Sequence, residues 1–475
     1  VHNSDGGWVA PSGSGLLQTR EIVRRLHEEH GRPVVLLGHS SGGWAALRCG
    51  GQDAVIGSVA LAPWVGEDEA YEHLHDRVVR VIHGEADAVC SPQRSRELVE
   101  RLRAEAPVHY TAESAYGPFW SVTKYNDIMA VDTNHEVFSS EPSITIFDAK
   151  DDFPLPMFIA MDPPKHDVQR KAVSPAVSPT NLQILGPLIR ERAAKILDSL
   201  PIGEEFDWVD KVSMELTAMT LATLFGIDQA DRRKLTYWSD VVTAVPGHGL
   251  IDTLEQKMQI FIEYHAYFTE LWNQRVNAEP GGDLISMLAH GPETRNMSPR
   301  EYFGNVVLLT VGGNDTTRNT ITGSVLALNQ NPDQYKKLRE NPSLIPSMVS
   351  ETIRWQTPLA HMRRIATQDY ELGGKTIKKG DKVVMWYVSG NRDDEVIERP
   401  NDYIIDRARP RNHLSFGFGI HRCVGNRLAE LQLQIIWEEI LKRFPEIKVV
   451  EEPIRTYSSF VKGYESMKVV IPTRL

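Results

Sequence analysis

The sequence predicts a mainly α-helical domain with small β-sheets, preceded by a shorter segment of parallel α/β sheet. Two observations predict this fold class. Up to about residue 106, short apolar runs alternate with helical patterns, which is typical of a parallel sheet flanked by helices. After that point long amphipathic patterns dominate, which favours a helical domain. We therefore predict two domains, 1–106 and 107–475.

The predicted parallel sheet is built from short apolar runs. Strands are expected at Val34–Leu37, Ala54–Leu61, Val78–Ile82 and Pro107–Thr111. Helical patterns at Leu16–His30 and Pro92–Ala104 accompany these strands. Strands that alternate with helices along the chain indicate parallel pairing, because each crossover returns the chain to the same end of the sheet.

The second domain is predicted from its amphipathic helices. They are expected at Asn181–Leu200, Val212–Phe225, Leu254–Val276, Pro299–Asn329 and Arg427–Phe444. Short strands are expected at Phe119–Lys124 and Lys382–Val388. The domain is thus helical, with small sheets between its helices.

Composition excludes several classes of protein. The net charge of −11 argues against nucleic acid or an anionic membrane as the main partner. No apolar run is long enough to span a bilayer, and the first residues lack the pattern of an export signal. Three cysteines (Cys49, Cys90 and Cys423) cannot form a disulfide framework, which favours a reducing cytoplasm.

Cys423 lies in a glycine-rich loop, Phe416–Gly425, directly before a predicted helix. A thiolate that binds a metal needs backbone N–H groups directed at its sulfur and glycines where the chain approaches another group closely. The following helix has an apolar stripe, and its N-terminus favours negative charge on the sulfur. The alternative is a buried, inert cysteine in a tight turn.

The helix predicted at Pro299–Asn329 has an unusual middle. Ser298 is a good N-cap for it, because Pro299 and Glu301 follow at the first and third helical positions. Gly312 and Gly313 then stand together inside the helix, at a cost of about 2 kcal/mol relative to alanine. Asp315 and Thr316 are polar residues at positions expected to be buried.

Together these two motifs resemble those of cytochromes P450. The resemblance implies that Cys423 binds the iron of haem b and that His421 supplies a cation for the haem propionates. It also implies that Thr316 bonds the iron-bound oxygen and that Asp315 connects the site to bulk protons, which O–O cleavage requires. The alternative is a kinked packing helix in which Thr316 bonds a carbonyl one turn earlier.

Further P450-like features follow in the expected order. Glu351 and Arg354 form a Glu-x-x-Arg pair, for which Arg409 is the predicted third member. His166 and Arg170 belong to a segment like the Asp-Pro-Pro…His-x-x-x-Arg stretch of bacterial P450s. Arg364 matches an arginine on the family's strand after the Glu-x-x-Arg helix. The resemblance therefore nominates His166, Arg170 and Arg364 as propionate anchors, although each alone could be a solvated surface cation.

Three segments resemble the bacterial alkane and fatty-acid terminal hydroxylases of this superfamily. They are Phe119–Tyr125, Ser139–Glu141 and His413–His421. The resemblance implies hydroxylation at the end methyl of medium-chain alkanes, alcohols or fatty acids. It also implies electrons from NAD(P)H through a reductase and a ferredoxin. An apolar pocket that includes Phe158, Leu309 and Val311 is consistent with such substrates.

The N-terminal segment resembles an incomplete α/β-hydrolase. Gly38–Gly42 is a Gly-x-Ser-x-Gly elbow after a predicted strand, with Ser40 as the nucleophile. Asp87 would be the acid, but the loop Ala112–Gly117 after the last predicted strand contains no histidine. The sequence therefore leaves three functions open: a haem monooxygenase, a serine hydrolase that uses Ser40, and a haem-binding protein without turnover.

Overall fold

The structure is a computed structural model. It describes residues 34–39, 55–61, 78–82, 100, 103–114, 116–148, 155–247 and 249–475. The chain divides into two compact units, Val1–Ser121 and Val122–Leu475. The domain boundary predicted between residues 106 and 107 stays a prediction.

A three-stranded parallel sheet is the first described part of the first unit. Strand β1 (Val34–His39) pairs in parallel with β2 (Val55–Leu61), which pairs in parallel with β3 (Val78–Ile82). This arrangement confirms the first three predicted strands and their direction. The fourth predicted strand, Pro107–Thr111, forms at Val108–Thr111 but pairs with the strand that follows it and not with this sheet. Two further strands follow, β4 (Val108–Thr111) and β5 (Phe119–Val122), the last of which ends at the first residue of the second unit.

Several predictions for this unit fall outside the described residues. They concern the helix Leu16–His30, most of the helix Pro92–Ala104, and the candidate hydrolase residues Ser40 and Asp87. These stay predictions.

The second unit is mainly helical, as predicted. Its helices are α1 (Tyr125–Asp132), α2 (Lys165–Val173), α3 (Pro179–Asp198), α4 (Glu215–Phe225), α5 (Arg232–Thr243), α6 (Leu254–Val276), α7 (Leu284–His290), α8 (Pro299–Gln330), α9 (Pro332–Glu340), α10 (Ile345–Gln356), α11 (Tyr387–Gly390) and α12 (Asn426–Leu441). The α6 helix has the predicted bounds. Around Val212 the structure differs from the prediction, because a π-helical turn (Val209–Met214) precedes α4.

Small antiparallel sheets lie between these helices. Strand β8 (Met362–Ala366) pairs with β6 (Phe138–Ser139) on one side and with β11 (Lys382–Met385) on the other. The remaining strands are β7 (Glu205–Asp207), β9 (Tyr370–Leu372), β10 (Lys375–Ile377), β12 (Lys448–Val449), β13 (Ile454–Arg455), β14 (Tyr464–Ser466) and β15 (Lys468–Val470). The strand predicted at Lys382–Val388 ends early, because α11 begins at Tyr387.

The α8 helix runs through the core and positions the site. Ser298 caps its first turn by accepting a hydrogen bond from the Glu301 N–H, and Asn331 ends it before Pro332. Most of its residues are buried, and it packs against α4, α5, α10 and α12. A Cβ on Gly313 would lie 2.6 Å from the Leu221 Cδ2 atom of α4, so this glycine permits close packing of the two helices.

Apolar residues of α12 pack into the same core. The predicted stripe is Ala429, Leu433, Ile436, Ile440 and Phe444. All but Ala429, which is half-buried, are almost fully buried, and each of these larger side chains contributes about 1.5–3 kcal/mol to folding. No helix among the described residues combines the length and the hydropathy that a bilayer span requires.

Candidate active site

The loop that carries Cys423 is shaped by two glycines with left-handed backbone conformations. The φ angles of Gly417 and Gly419 are 63° and 65°. A short 3-10 turn, Gly419–His421, then leads to Cys423, whose N–H donates to the Phe416 carbonyl over 2.8 Å. The chain thus folds back on itself and presents Cys423 directly before α12.

Protein contacts explain why two of these positions are glycine. A Cβ on Gly419 would lie 2.5 Å from the carbonyl oxygen of Asp132, and one on Gly417 would lie 3.2 Å from its carboxylate. A Cβ on Gly425, in contrast, would meet no atom within 4 Å. The expectation that the loop glycines make room for a cofactor therefore suits Gly425, whereas Gly417 and Gly419 make room for the end of α1.

Asp132, the last residue of α1, is a buried hub that sequence reasoning missed. Its Oδ1 atom accepts a hydrogen bond from Arg364 over 2.8 Å. Its Oδ2 atom accepts one from the Phe418 N–H over 2.7 Å and one from the Tyr387 hydroxyl over 2.9 Å. Burial raises the pKa of Asp132, and these three donors oppose that rise.

The Cys423 side chain is exposed, although protein surrounds it. Such a side chain stays accessible to a bound group. Burial raises the pKa of its thiol, while a hydrogen bond from the Gly425 N–H and the charges of Arg170 and Arg422 lower it. The three lowering groups are those expected around a cysteine that acts as a thiolate.

Two side chains of α2 converge on the loop. His166 and Arg170 lie one turn apart, and Arg170 donates to the Arg422 carbonyl over 2.5 Å. The rings of His166 and His421 lie 4.3 Å apart. Burial lowers the pKa of Arg170 and that of His166.

The ring nitrogens of His421 make no hydrogen bond to the described residues. Within the described ranges, neither its Nδ1 nor its Nε2 atom has a hydrogen-bond partner, and the Nε2 atom of His166 has none either. Burial, together with the charges of Arg364, His166 and Arg170, lowers the pKa of His421 to about 2. Buried ring nitrogens beside two guanidinium groups form a surface that would accept a carboxylate.

Arg364 lies on β8 and is buried next to this cluster. Its guanidinium bonds the Asp132 carboxylate and the carbonyl of Arg363, over 2.8 Å in each case. The predicted cation is therefore near His421, but a protein carboxylate already balances part of its charge.

The middle of α8 has one accessible face. Leu308, Gly312 and Thr316, which are spaced four residues apart, are partly or fully exposed, and so are Leu309, Val311 and Gly313 between them. The Thr316 hydroxyl donates to the Gly312 carbonyl over 2.8 Å. This is the back-bonded geometry of the alternative interpretation, and no hydrogen bond in the described residues joins Thr316 to the Cys423 cluster.

Asp315, the residue before Thr316, is fully buried. Its Oδ1 atom accepts hydrogen bonds from Ser239 and Asn314 over 2.9 Å and from Arg318 over 3.2 Å. Burial raises the pKa of Asp315, with a further contribution from Asp240, whereas Arg318 lowers it. Arg318 also donates to Asp240 over 2.7 Å, and the Asp240 side chain is 27% exposed. A chain of charged groups therefore connects Asp315 with the surface.

The Glu-x-x-Arg pair is completed by a different arginine from the one predicted. Glu351 is fully buried and bonds Arg354 through both of its oxygens, over 2.8 Å each. The third member is Arg407, whose Nε atom donates to Glu351 over 2.8 Å. The prediction of Arg409 was wrong, because Arg409 is exposed and lines a surface cleft.

The apolar residues nominated for a pocket belong to the core. Phe158 is buried, and Leu309 and Val311 are partly buried against the same cluster.

Comparison with known proteins decides the family. The structure is similar to that of cytochrome P450-153 from Novosphingobium aromaticivorans, with a TM-score of 0.74 and 47% identity, covering 80% of this chain and 96% of that one. The chain belongs to the cytochrome P450 family. The cytochrome P450 sequence profile matches residues 248–468.

Curated relatives agree with this assignment. The P450 is 35% identical to linalool 8-monooxygenase of Pseudomonas putida over 391 residues, which is 80% of this chain and 96% of that protein. It is 33% identical to the methyl-branched lipid omega-hydroxylase of Mycobacterium tuberculosis over 384 residues, which is 78% of this chain and 89% of that protein. A profile of the α/β hydrolase family also matches residues 4–210.

P450s bind haem, and the residues of this P450 fit that group. The Cys423 side chain is accessible and has groups around it that favour its thiolate form. The ring nitrogens of His421 and the Nε2 atom of His166 lack partners among the described residues, and haem has two carboxylates that could supply them. The open sides of Gly425 and Gly312 leave space that other side chains would fill.

Two residues of the site were missed by sequence reasoning. Asp132 gives no motif signal, because one carboxylate at a helix end is ordinary. Arg407 could have been considered with Arg409, since both belong to the segment Asp406–Arg409. Residue spacing alone does not indicate which of the two arginines bonds Glu351.

Proposed function

We propose that this P450 monooxygenase hydroxylates the terminal methyl group of medium-chain alkanes or fatty acids. Haem b would be its cofactor, with Cys423 as the iron ligand. NAD(P)H would supply electrons through a reductase and a ferredoxin in the cytoplasm. The observation that carries the proposal is that His166 and Arg170 of α2 contact the loop that contains His421 and Cys423.

The substrate class rests on relatives and on chemistry. A relative at 33% identity is named a methyl-branched lipid omega-hydroxylase, which acts at a chain end. Linalool 8-monooxygenase also oxidises an apolar molecule, so apolar substrates are common to both. The partly buried Leu308, Leu309 and Val311 of α8 would offer apolar contacts to such a substrate.

Each residue has a proposed role around the cofactor. Bound haem would supply the iron that activates dioxygen for insertion of one oxygen atom into a C–H bond. The Gly425 N–H stabilises the Cys423 sulfur as a thiolate, because it donates to the charged form. His166, Arg170 and His421 would hold the propionates as hydrogen-bond donors, with Arg364 beside them.

Proton handling is assigned to α8. The Thr316 hydroxyl can turn about its side-chain bonds from the Gly312 carbonyl toward the accessible face of the helix. Asp315 would exchange protons with the surface on the side of Asp240, while Arg318, which stays charged, holds the two carboxylates next to each other. Its raised pKa suits this role, because a carboxyl that releases and recovers a proton readily needs a pKa closer to neutral pH.

The reduced, carbon-monoxide-bound spectrum of the haem-supplemented protein tests the proposal. The thiolate-ligated band is expected in the wild type and in Cys90→Ala, and it should be lost in Cys423→Ala. A colourless protein, or one whose iron is held by histidine, would contradict haem-thiolate function. Incubation with octane and dodecanoic acid, a ferredoxin and its reductase should then yield terminal alcohols. Products oxidised only at internal carbons would overturn the substrate proposal.

Ester hydrolysis is the second candidate function. The α/β hydrolase match and the elbow at Ser40 favour it, and the lack of a histidine in Ala112–Gly117 opposes it. Hydrolysis of p-nitrophenyl esters that disappears in Ser40→Ala would establish it. Equal rates in the two proteins would exclude it.

A further inference from the structure

The carboxylate of Asp132 bonds three separate parts of the haem site. One oxygen accepts from Arg364, and the other accepts from the Phe418 N–H and the Tyr387 hydroxyl, all within 2.7–2.9 Å. Asp132 is only 3% exposed, so water does not weaken these bonds. A single side chain thus contacts β8, α11 and the loop of the iron ligand.

The backbone on both sides makes this contact close. Gly417 and Gly419 flank Phe418, and their left-handed conformations leave no room for side chains between the loop and Asp132. The Phe418 N–H is buried against the carboxylate at the point where the chain turns toward Cys423. A displacement of this amide would therefore move the start of the short turn that ends at the iron ligand.

Arg364 is the second partner and belongs to the cation cluster. Its charge contributes to the low pKa of His421, which places it close to that ring. Without Asp132, Arg364 would be a buried and uncompensated cation, which proteins avoid.

We propose that Asp132 is a positioning residue that holds the iron-ligand loop and the Arg364 cation in fixed relation to each other. This inference rests on the proposed haem-thiolate function. Because Asp132 is negatively charged next to the cluster, it also lowers the net positive charge around the haem edge. Both effects act on the iron: the first through the placement of the Cys423 sulfur, and the second through the local potential.

A matched control separates this role from general support of the fold. Asp393 is 2% exposed and accepts the N–H of Tyr125 over 2.7 Å and that of Glu395 over 3.1 Å. It therefore supports the first residue of α1, whereas Asp132 is the last. Asp393→Asn and Asp132→Asn both neutralise a buried carboxylate that holds this helix, but only Asp132 bonds the loop.

The test uses the full chain loaded with haem. For Asp132→Asn we expect a part of the reduced, carbon-monoxide-bound protein to lose the thiolate band, and a reduction potential more positive than that of the wild type. Haem dissociation should become about 10-fold faster, as for other residues that support a metal ligand. Asp393→Asn should lower the unfolding temperature without changing the band or the potential.

Tyr387→Phe keeps the inference testable if the asparagine variant does not fold. It removes one donor to Asp132 and retains the charge, so we expect a smaller loss of the thiolate band and an unchanged potential. If a folded Asp132→Asn protein keeps the wild-type band, potential and dissociation rate, the positioning role is wrong. If the wild type itself lacks the thiolate band, the proposed function fails instead, so the two failures are distinguishable.

Discussion

Arg407 donates from its Nε atom to the fully buried carboxylate of Glu351 over 2.8 Å. Removal of the guanidinium would leave part of the Glu351 charge without a partner in the interior. We therefore expect Arg407→Ala to lower the free energy of unfolding by about 3–5 kcal/mol. Urea unfolding of the purified protein measures this change.

Arg409→Ala is the control for that prediction. Arg409 is exposed, and its truncation should change the free energy of unfolding by no more than about 0.5 kcal/mol. If Arg409→Ala proves more destabilising than Arg407→Ala, the assignment of the third member of the network is incorrect.

The adjacent glycines of α8 should respond differently to alanine. Gly312 has no atom within 4 Å of a built Cβ, so Gly312→Ala should raise the free energy of unfolding by about 0.5–1 kcal/mol through helix propensity. Gly313→Ala would press on Leu221, which is itself buried in the core, and should lower it by about 1 kcal/mol. Thermal unfolding of both variants checks this order. Equal shifts of the unfolding temperature in the two variants would show that α4 moves away from the added methyl group without loss of stability.

Stability in acid should depend on Glu439. Burial alone would raise the pKa of this residue, but hydrogen bonds from Lys442, Arg190 and Arg443 lower it to about 2. The folded pKa lies below the ordinary value of 4.5, so the stabilisation is complete above pH 4.5 and is lost as the pH falls toward 2. This stabilisation contributes on the order of 2–3 kcal/mol to the free energy of unfolding. Glu439→Gln should unfold at a lower denaturant concentration at pH 7, with a smaller pH dependence between pH 5 and about 3.

Thr316→Ala tests the proposed use of the α8 hydroxyl. The variant should bind haem and substrate but release more of its reducing equivalents as hydrogen peroxide, because the site loses a hydrogen-bond donor for proton delivery. The measurement compares peroxide and product formed per NADH consumed. Thr316→Ser keeps the hydroxyl and should restore coupling. Full coupling in the alanine variant would refute the assignment.

Long periodic elements could be predicted from the sequence. The bounds of α6 and the start of α8 agree with the structure, because an apolar period over many residues and a Ser-Pro-x-Glu start leave little choice. Parallel pairing of β1, β2 and β3 also followed from alternation of strands with helical segments.

Contacts between distant segments could not be predicted in the same way. The choice of Arg407 over Arg409 depends on which side of an irregular turn faces Glu351, and residue spacing does not specify this. Asp132 accepts hydrogen bonds from three donors that lie 232–286 positions later in the sequence. No local sequence pattern reveals contacts of this kind. Of the site residues named by resemblance, His166, Arg170, Arg364 and His421 lie near the loop of Cys423. Thr316 and Asp315 make no hydrogen bond to that group in the described residues, and their roles stay predictions.

The length of α8 has a consequence for how variants of this P450 should be read. Its 32 residues extend over about 48 Å, so Thr316 stands near the centre of a stiff rod whose ends are held by other parts of the domain. A substitution near Ser298 or Asn331 can tilt this rod by a small angle and turn the threonine hydroxyl away without touching any group near the iron. Changes in oxygen chemistry can therefore originate from positions about four or five helical turns away from Thr316.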